Sequence, residues 1–515
     1  MTNQVKDSVF ALVKSLSKSE KRQFKLYVGR LGGNANAKFL SLFNLLDKIK
    51  TYDEKTILKS GIVKKAQLSN LKAHLYKQIL ISLRLNPVHQ NIRVQLREQL
   101  DFATILYHKG LYKQSLKILE KAKKLALENE EKNLAYEIVE LEKVIESQFI
   151  TRSISGRADE LTEQAKMLSI QNTITSKLSN LSLQLYGLLL KTGYVKNDAE
   201  FKDVTDYFNA RMPNVREVDL DFREKLWFYK SHLWYSFLVQ DFVSCFKYAS
   251  RWTQLFKDNP GMIYLNPVFF IKGYNYLLEA LFYLQYHSKF KKTLVEFEAI
   301  LADKKALPNE DNIKVLGFQY HYFNKLNLHF MEGTFKEGLS LVDEVLKRIK
   351  KFVKSLDEHH IMVFYYKIAC MYFGAGDNKK CIYFLEKIIE NKSLEMREDL
   401  MCFARILSLV AHYEAGLDYH LELQVKRTYK FLLKMNDLYE VQKAMIKFLR
   451  HIGHVYPHQF KSEFVKLHKT LKQYEADPYE RRAFLYLDIL SWLESKIENR
   501  PIELVIQEKF EAIKR

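Results

Sequence analysis

The chain has 515 residues and is poor in the residues that form tight turns, with 17 glycines and 8 prolines. All-β folds need such residues every few positions, so this composition argues against sandwiches and barrels and favours an all-α fold. A hydrophobic content of 47% excludes a largely disordered chain. The formal net charge of +20 favours an anionic partner.

The first 88 residues are predicted to form a compact, basic helical module. Apolar residues recur every three or four positions over residues 8–16, 39–50, 53–59 and 67–85. A further helix begins at the capping box of Ser17 and Glu20. Residues 1–100 hold 19 basic and 6 acidic side chains, a net charge of +13, whereas residues 101–200 are balanced.

This local positive charge predicts a polyanionic partner: nucleic acid, the ribosome, an acidic protein or an acidic lipid surface. The candidate residues for polyanion binding are Lys18, Lys21, Arg22, Lys25, Lys64, Lys65, Lys72 and Lys77. The first four lie about 120° around their helix from its apolar stripe. The alternative, in which these lysines only solvate helix surfaces, stays open.

The short helix 53–59, a turn at Gly61 and the helix that follows also match a helix-turn-helix unit that reads DNA. Any two consecutive helices joined by a glycine turn give the same pattern. DNA reading is therefore the less favoured interpretation of this segment.

From residue 92 onward, a helix–turn–helix pattern recurs. In its clearest copy the turn is at Gly110, Ala103 lies seven positions before it, and Tyr112, Ser115 and Ala122 lie two, five and twelve positions after it. Small residues at these positions let two helices pack closely. Weaker copies predict further turns at residues 193, 240, 288, 333, 376 and 416.

These positions resemble those of the tetratricopeptide repeat over roughly residues 92–450, with a spacing longer than the standard unit of about 34 residues. The resemblance implies a right-handed α-solenoid with one long concave face. The predicted domains are thus the basic module, residues 1–88, and a tetratricopeptide-like solenoid, residues 92–515. Residues 15–85 are also similar to the opening of an uncharacterised group of bacterial repeat proteins, a likeness that implies no function.

Aromatic residues are dense between residues 227 and 297. Most of them are expected in the core between paired helices. The alternative is that some line the concave groove, because tyrosine combines a large contact area with a hydroxyl group and suits peptide or single-strand binding. The candidate groove residues are Tyr229, Tyr235, Tyr276 and Tyr283.

The sequence gives no sign of membrane insertion. Its longest charge-free stretches, residues 178–190 and 259–271, are shorter than the roughly 20 apolar residues that span a bilayer. The four cysteines form no Cys-x-x-Cys pair and lie in apolar helical segments: Cys245, Cys370, Cys381 and Cys402. We therefore expect buried thiols and a cytoplasmic location.

No pattern typical of an enzyme is found, since the sequence lacks a phosphate-binding loop, a zinc motif and a nucleophile elbow. His451 and His454 share a helical face, with His458 beyond, but no carboxylate matches their spacing and we expect no metal site. The sequence therefore predicts a non-enzymatic cytoplasmic scaffold, without cofactor, that binds a protein partner in its concave face. The alternative is a nucleic-acid- or ribosome-associated protein that binds through the basic module.

Overall fold

The computed structural model describes residues 7–30, 38–86, 91–148, 156–303, 305–353, 355–391, 398–416, 418–434, 440–452, 455–456, 459–480, 484 and 488–514. Within these ranges the regular structure is helical and no strand occurs, which confirms the predicted all-α class. None of the described helices combines the length and apolar character needed to cross a bilayer. The chain forms two compact units, Met1–Ser169 and Ile170–Arg515.

The first unit begins with the helices predicted for the basic module, each within a few residues of its predicted bounds. Its helices are α1 (Ser8–Ser15), α2 (Lys18–Arg30), α3 (Lys38–Lys48), α4 (Glu54–Lys59), α5 (Lys65–Arg84), α6 (Ile92–His108), α7 (Tyr112–Glu128) and α8 (Lys132–Gln148), and α9 (Arg157–Thr192) continues into the second unit. The capping box forms as predicted: Ser17 Oγ accepts from the Glu20 amide at 3.2 Å, and Glu20 Oε2 accepts from the Ser17 amide at 2.6 Å.

Two separate hydrophobic cores lie in the first unit. One is built by α1 to α5 around the Phe24 and Phe43 rings, whose centroids are 4.6 Å apart. The other is built by α6 to α9 from buried residues between Leu96 and Leu168. The domain boundary predicted at residues 88–92 stays a prediction.

The pair α6–α7 is joined by the turn predicted at Gly110, which has a φ of 72°. That left-handed backbone costs glycine little. Ala103 and Leu119 are fully buried between the helices. Ser115 Oγ donates to the Ala103 carbonyl at 2.8 Å, which the small side chain at residue 103 allows.

The second unit is a succession of helices, most of them in antiparallel pairs. After α9 come α10 (Asp198–Arg211), α11 (Phe222–Leu238), α12 (Phe242–Asp258), α13 (Gly261–Leu265), α14 (Pro267–Tyr283), α15 (His287–Ala302), α16 (Asp311–Glu332), α17 (Phe335–Gly338), α18 (Val342–Phe352), α19 (Glu358–Gly374), α20 (Asn378–Ile389), α21 (Glu398–Glu414), α22 (Asp418–Lys434), α23 (Glu440–Ile452), α24 (Phe460–Lys472), α25 (Ile489–Glu498) and α26 (Ile502–Lys514).

The turns that the pattern predicts in this unit are at left-handed residues, and all but one of the predicted positions are correct. The residues are Gly193, Gln240, Gln285, Gly333, Gly376 and Gly416, with φ values between 55° and 85°. The turn predicted at residue 288 is wrong, because Ser288 lies inside α15 and the turn residue is Gln285. The prediction was three positions too late because it took Phe290 as the aromatic residue two positions after the turn.

The end of the chain packs back on earlier helices of the same unit. Gln507 Nε2 in α26 donates to the Gly333 carbonyl at 3.1 Å. Tyr479 contacts the beginning of the unit twice: its hydroxyl donates to Asp198 at 2.6 Å, and its carbonyl accepts from Gln240 at 3.4 Å. These contacts join residues 174 to 281 positions apart.

Candidate functional site

The basic module exposes six of the eight candidate polyanion-binding residues. The exposed residues are Lys18, Arg22, Lys25, Lys64, Lys65 and Lys77. The other two are already neutralised within the module: Lys21 pairs with Asp47 at 2.7 Å, and Lys72 pairs with Asp7 at 2.5 Å. Burial opposes the charge of Lys72, but its hydrogen bonds to Asp7 and Tyr52 outweigh that effect and raise its pKa.

Most acidic side chains of the module are engaged in local structure. Asp7 accepts from the Phe10 amide at 2.9 Å at the start of α1, and Asp53 caps α4 in the same way. Glu20 belongs to the capping box. Since Asp47 pairs with Lys21, few carboxylates are left to neutralise the exposed lysines.

The exposed cations fall into two groups. Lys18, Arg22 and Lys25 are spaced by four and three residues and so follow one line along α2. The second group belongs to α5, with Lys64 and Lys65 at its start and Lys77 further along. None of these six forms an ion pair with a described residue.

In the second unit, the first helices of successive pairs contact one another through side chains. The Trp227 and Phe269 rings join α11 to α14 at 5.4 Å, and the Phe318 and Phe364 rings join α16 to α19 at 5.2 Å. Between them, Asn324 of α16 reaches α14. We call the surface formed by α11, α14, α16 and α19 the helix row.

The four candidate groove tyrosines lie on or beside the helix row, but two of them are buried. Tyr229 is 6% exposed and Tyr283 is 8% exposed, and their hydroxyls donate to Glu217 and Glu279. Tyr235 is half-buried and stacks on the Phe208 ring at 4.3 Å. Tyr276 is half-buried between the rings of Trp234 and Trp252. Of these four, Tyr235 and Tyr276 therefore retain the larger accessible surface.

A ladder of side-chain amides crosses the helix row. Asn324 Nδ2 donates to Asn275 Oδ1 at 3.1 Å, and Asn327 Nδ2 donates to Asn324 Oδ1 at 3.5 Å. Lys367 Nζ ends the ladder by donating to Asn327 Oδ1 at 2.5 Å. Its ammonium lies 5.6 to 6.0 Å from three phenylalanine ring centroids, and burial lowers its pKa to about 8.

A pair of cations, Lys230 and Lys272, lies on neighbouring helices of the row. Lys230 Nζ is 4.4 Å from the Trp227 ring centroid and 5.5 Å from that of Phe269. Burial, and then the charge of Lys272, lower the pKa of Lys230 to about 8, and burial also lowers the pKa of Lys272. No described carboxylate forms an ion pair with either lysine. Together with Lys367, the row therefore holds three desolvated cations that form no ion pair with a described carboxylate.

A cavity of about 420 Å³ lies between the helix row and the last helices of the chain. Its wall is mainly apolar and includes Phe242, Phe282, Phe335, Phe373, Ile506 and Phe510. The volume suits a small molecule. Its polar groups, however, are already paired: Lys509 bonds to Ser491 and Glu494, and His287 to Glu332.

The other sequence candidates contribute no further site. His451 is exposed and faces Glu463 at 3.8 Å, while His454 and His458 lie outside the described residues. The four cysteines are buried free thiols, as predicted. The amide ladder and the cavity were not predicted, because their residues are tens to hundreds of positions apart. No family model matches the chain, and no curated protein or solved structure is significantly similar to it. A function for the chain is therefore inferred from its own residues.

Proposed function

We propose that this chain is a non-enzymatic cytoplasmic binding protein that takes up an acidic protein segment along the helix row, whose helix pairs stack as a tetratricopeptide-like solenoid. The observation that carries the proposal is the pair Lys230 and Lys272, two desolvated cations without a described counter-ion. Removing a cation from water is costly unless a partner compensates it. A carboxylate of a bound segment supplies that partner.

The neighbouring groups suit a polypeptide. Asn275 and Lys367, the two half-buried ends of the amide ladder, offer hydrogen bonds to a backbone. Trp227 and Tyr276 offer ring surface to apolar side chains. The helix row therefore offers an extended acidic segment three kinds of contact: cations for its carboxylates, hydrogen-bonding groups for its backbone and aromatic rings for its apolar side chains.

The test is selection of a displayed random-peptide library on the purified full-length protein, followed by affinity measurement with the enriched peptides. We expect acidic peptides, and we expect Lys230→Glu with Lys272→Glu to weaken them by about tenfold or more, because a truncated or reversed charge pair loses several kcal/mol. Binding should also decline above pH 8, where Lys230 loses its proton.

The matched control is Lys292→Glu with Lys347→Glu, which makes the same charge change at exposed positions of α15 and α18. This variant should bind the peptides nearly as wild type does. Enrichment of peptides without acidic residues, or equal loss in both double variants, would contradict the proposal.

A second function is favoured by a separate observation, the engaged acids and exposed cations of the basic module. We propose that the line Lys18, Arg22 and Lys25 binds the phosphate backbone of a nucleic acid. Reversal of these three charges should lower affinity for DNA, RNA or ribosomes and flatten the salt dependence by about two to three units on a logarithmic plot.

The control for this second function reverses Lys113, Lys117 and Lys121, three exposed lysines of α7. The net charge changes equally, so a loss confined to the α2 variant locates the contact. If wild type binds none of the three polyanions at low salt, nucleic-acid binding by the module is wrong.

A further inference from the structure

The basic module contains a helix–turn–helix, and one face of its second helix, α5, is exposed and does not pack in the hydrophobic core of the module. The pair consists of α4 and α5 with Gly61 between them at a φ of 71°. The opposite face of α5 is anchored by Leu68, Leu75 and Ile79, which are at most 4% exposed. Because α5 packs on α1, α2 and α3 through that face, its outward face is fixed in orientation.

Over the first three turns of α5, the outward face carries small or polar side chains and no negative charge; the exposed Leu80 follows on the same face. Ala66, Ser69, Asn70, Ala73 and Lys77 are all exposed and share one side of α5. Ala66, Asn70, Ala73 and Lys77 are spaced by four, three and four residues, and Ser69 lies three positions after Ala66 and four before Ala73. No acidic residue occurs anywhere in the 20 residues of α5. The side chains of Ser69 and Asn70 form no hydrogen bond with a described group, so their donors and acceptors are available.

These properties match the requirements of the DNA major groove. Small side chains let the helix backbone approach the floor of a groove about 12 Å wide, and an asparagine amide can pair with the exposed edge of adenine. Positive charge for contacts with the phosphates is supplied by Lys64 and Lys65 at the start of α5 and by Lys77 further along it. The deep and narrow major groove of duplex RNA does not admit a helix in this way.

We propose that α5 enters the major groove of duplex DNA, with Asn70 at the base edges and the lysines of α5 on the backbone. This inference rests on the second proposed function, in which the module binds nucleic acid through charge. It adds a prediction that charge alone does not make: a bulky residue on the outward face should block binding even when that residue is positive.

The deciding variant is therefore Ala73→Arg in the full-length protein. The probes are a DNA duplex longer than two helical turns, the RNA duplex of the same sequence and the single DNA strand. We expect wild type to prefer the DNA duplex, and Ala73→Arg to weaken it by about tenfold or more, a loss typical of a groove contact. Ser69→Arg, at a second exposed position, should act in the same direction.

Ala11→Arg is the matched control, because Ala11 is an exposed alanine of α1 in the same module. It adds the same charge away from α5 and should leave DNA affinity unchanged or raise it. If Ala73→Arg and Ser69→Arg raise DNA affinity as the control does, or if wild type binds duplex RNA equally well, groove entry is wrong while charge-driven binding by the module stands. If wild type binds no nucleic acid, both fall.

Asn70→Ala tests base contact separately from groove entry. Selection from a randomised DNA duplex library should give a sequence motif with wild type. Asn70→Ala should relax one position of that motif and leave the salt dependence unchanged, since a base contact does not neutralise a phosphate. A motif that is identical in wild type and Asn70→Ala would overturn the role of Asn70.

Discussion

His232 on α11 is enclosed by aromatic rings. Its ring centroid lies 4.4 Å from those of Phe228 and Tyr248 and 5.1 Å from that of Phe208. Burial, helped by the charges of Lys247 and Arg251, lowers its pKa from 6.5 to about 4. The folded protein therefore keeps this imidazole neutral at pH values where the unfolded chain protonates it.

The pH dependence of stability follows from that difference. Between pH 6.5 and pH 4 the unfolded chain binds the extra proton, so acidification destabilises the second unit, by roughly 2–3 kcal/mol from this group at pH 4. We expect His232→Phe to lose less stability between pH 7 and pH 4 than wild type does, measured by denaturant unfolding. Equal losses in the two proteins would show that His232 is protonated in the folded state.

At the scale of single residues, the sequence predicted which side chains are exposed better than it predicted which side chains form ion pairs. The period of α2 separates its basic positions from Phe24 and Val28, which are indeed buried. It does not reveal that Lys21 meets Asp47, or that Lys72 meets Asp7, because those partners are 26 and 65 positions away. Ion pairing between helices depends on tertiary packing, which a single helical period does not contain.

At the scale of helices, two glycines of the second unit differ in the space around them: Gly374 is tightly packed, and Gly187 is not. A Cβ added at Gly374 in α19 would lie 2.3 Å from the buried ring of Phe335 in α17. A Cβ added at Gly187 in α9 would meet no atom within 4 Å. Close helix packing requires glycine at residue 374 but not at residue 187.

Alanine substitutions should therefore change stability in opposite directions. Gly374→Ala should destabilise the second unit by about 1–3 kcal/mol through overpacking. Gly187→Ala should stabilise it by about 0.5–1 kcal/mol, because alanine loses less backbone entropy in a helix. Guanidinium unfolding of both variants measures the two changes; a neutral Gly374→Ala would mean that α17 and α19 can separate without cost.

Helix bounds were predictable where local chemistry determines them. The capping box of Ser17 and Glu20 predicts the start of α2, and Gly110 and Gly376 predict turns. Both kinds of signal depend only on the local requirements of the backbone. The turn at Gln285 was misplaced because the aromatic residue of the predicted pattern, Phe290, lies five positions after the turn, whereas Phe242 lies two positions after the correctly predicted turn at Gln240. The Gln285 Nε2 bonds to the Phe282 carbonyl at 2.9 Å. Tertiary packing holds that residue in the strained conformation.

At the scale of the whole second unit, α26 covers apolar surface of earlier helices. Val505 and Ile506 are buried, and the Phe510 ring lies 4.5 Å from that of His287. The right-handed solenoid implied by the tetratricopeptide resemblance stays a prediction. In an ideal solenoid each repeat contacts only its neighbours, whereas here Gln507 bonds to Gly333, far from it in sequence.

A chain ending at Glu498 tests what α26 contributes. We expect increased binding of a hydrophobic dye and a lower unfolding midpoint for the second unit, because the apolar wall that includes Phe335 becomes exposed. Glu503→Gln, which removes only the pair with the exposed Lys336, should change stability by less than about 1 kcal/mol. Unchanged dye binding by the shortened chain would contradict this role.

The contact between Gln240 and Tyr479 has a consequence for biosynthesis. The 239 positions between these residues take about 12 to 48 s to translate at 5–20 residues per second. Throughout that interval α11 and α12 have been synthesised without their last partner, and the surface that Tyr479 later covers is open to other chains. Chaperone demand should therefore peak late in translation, and slowing the ribosome after codon 240 should increase aggregation more than slowing it before codon 170.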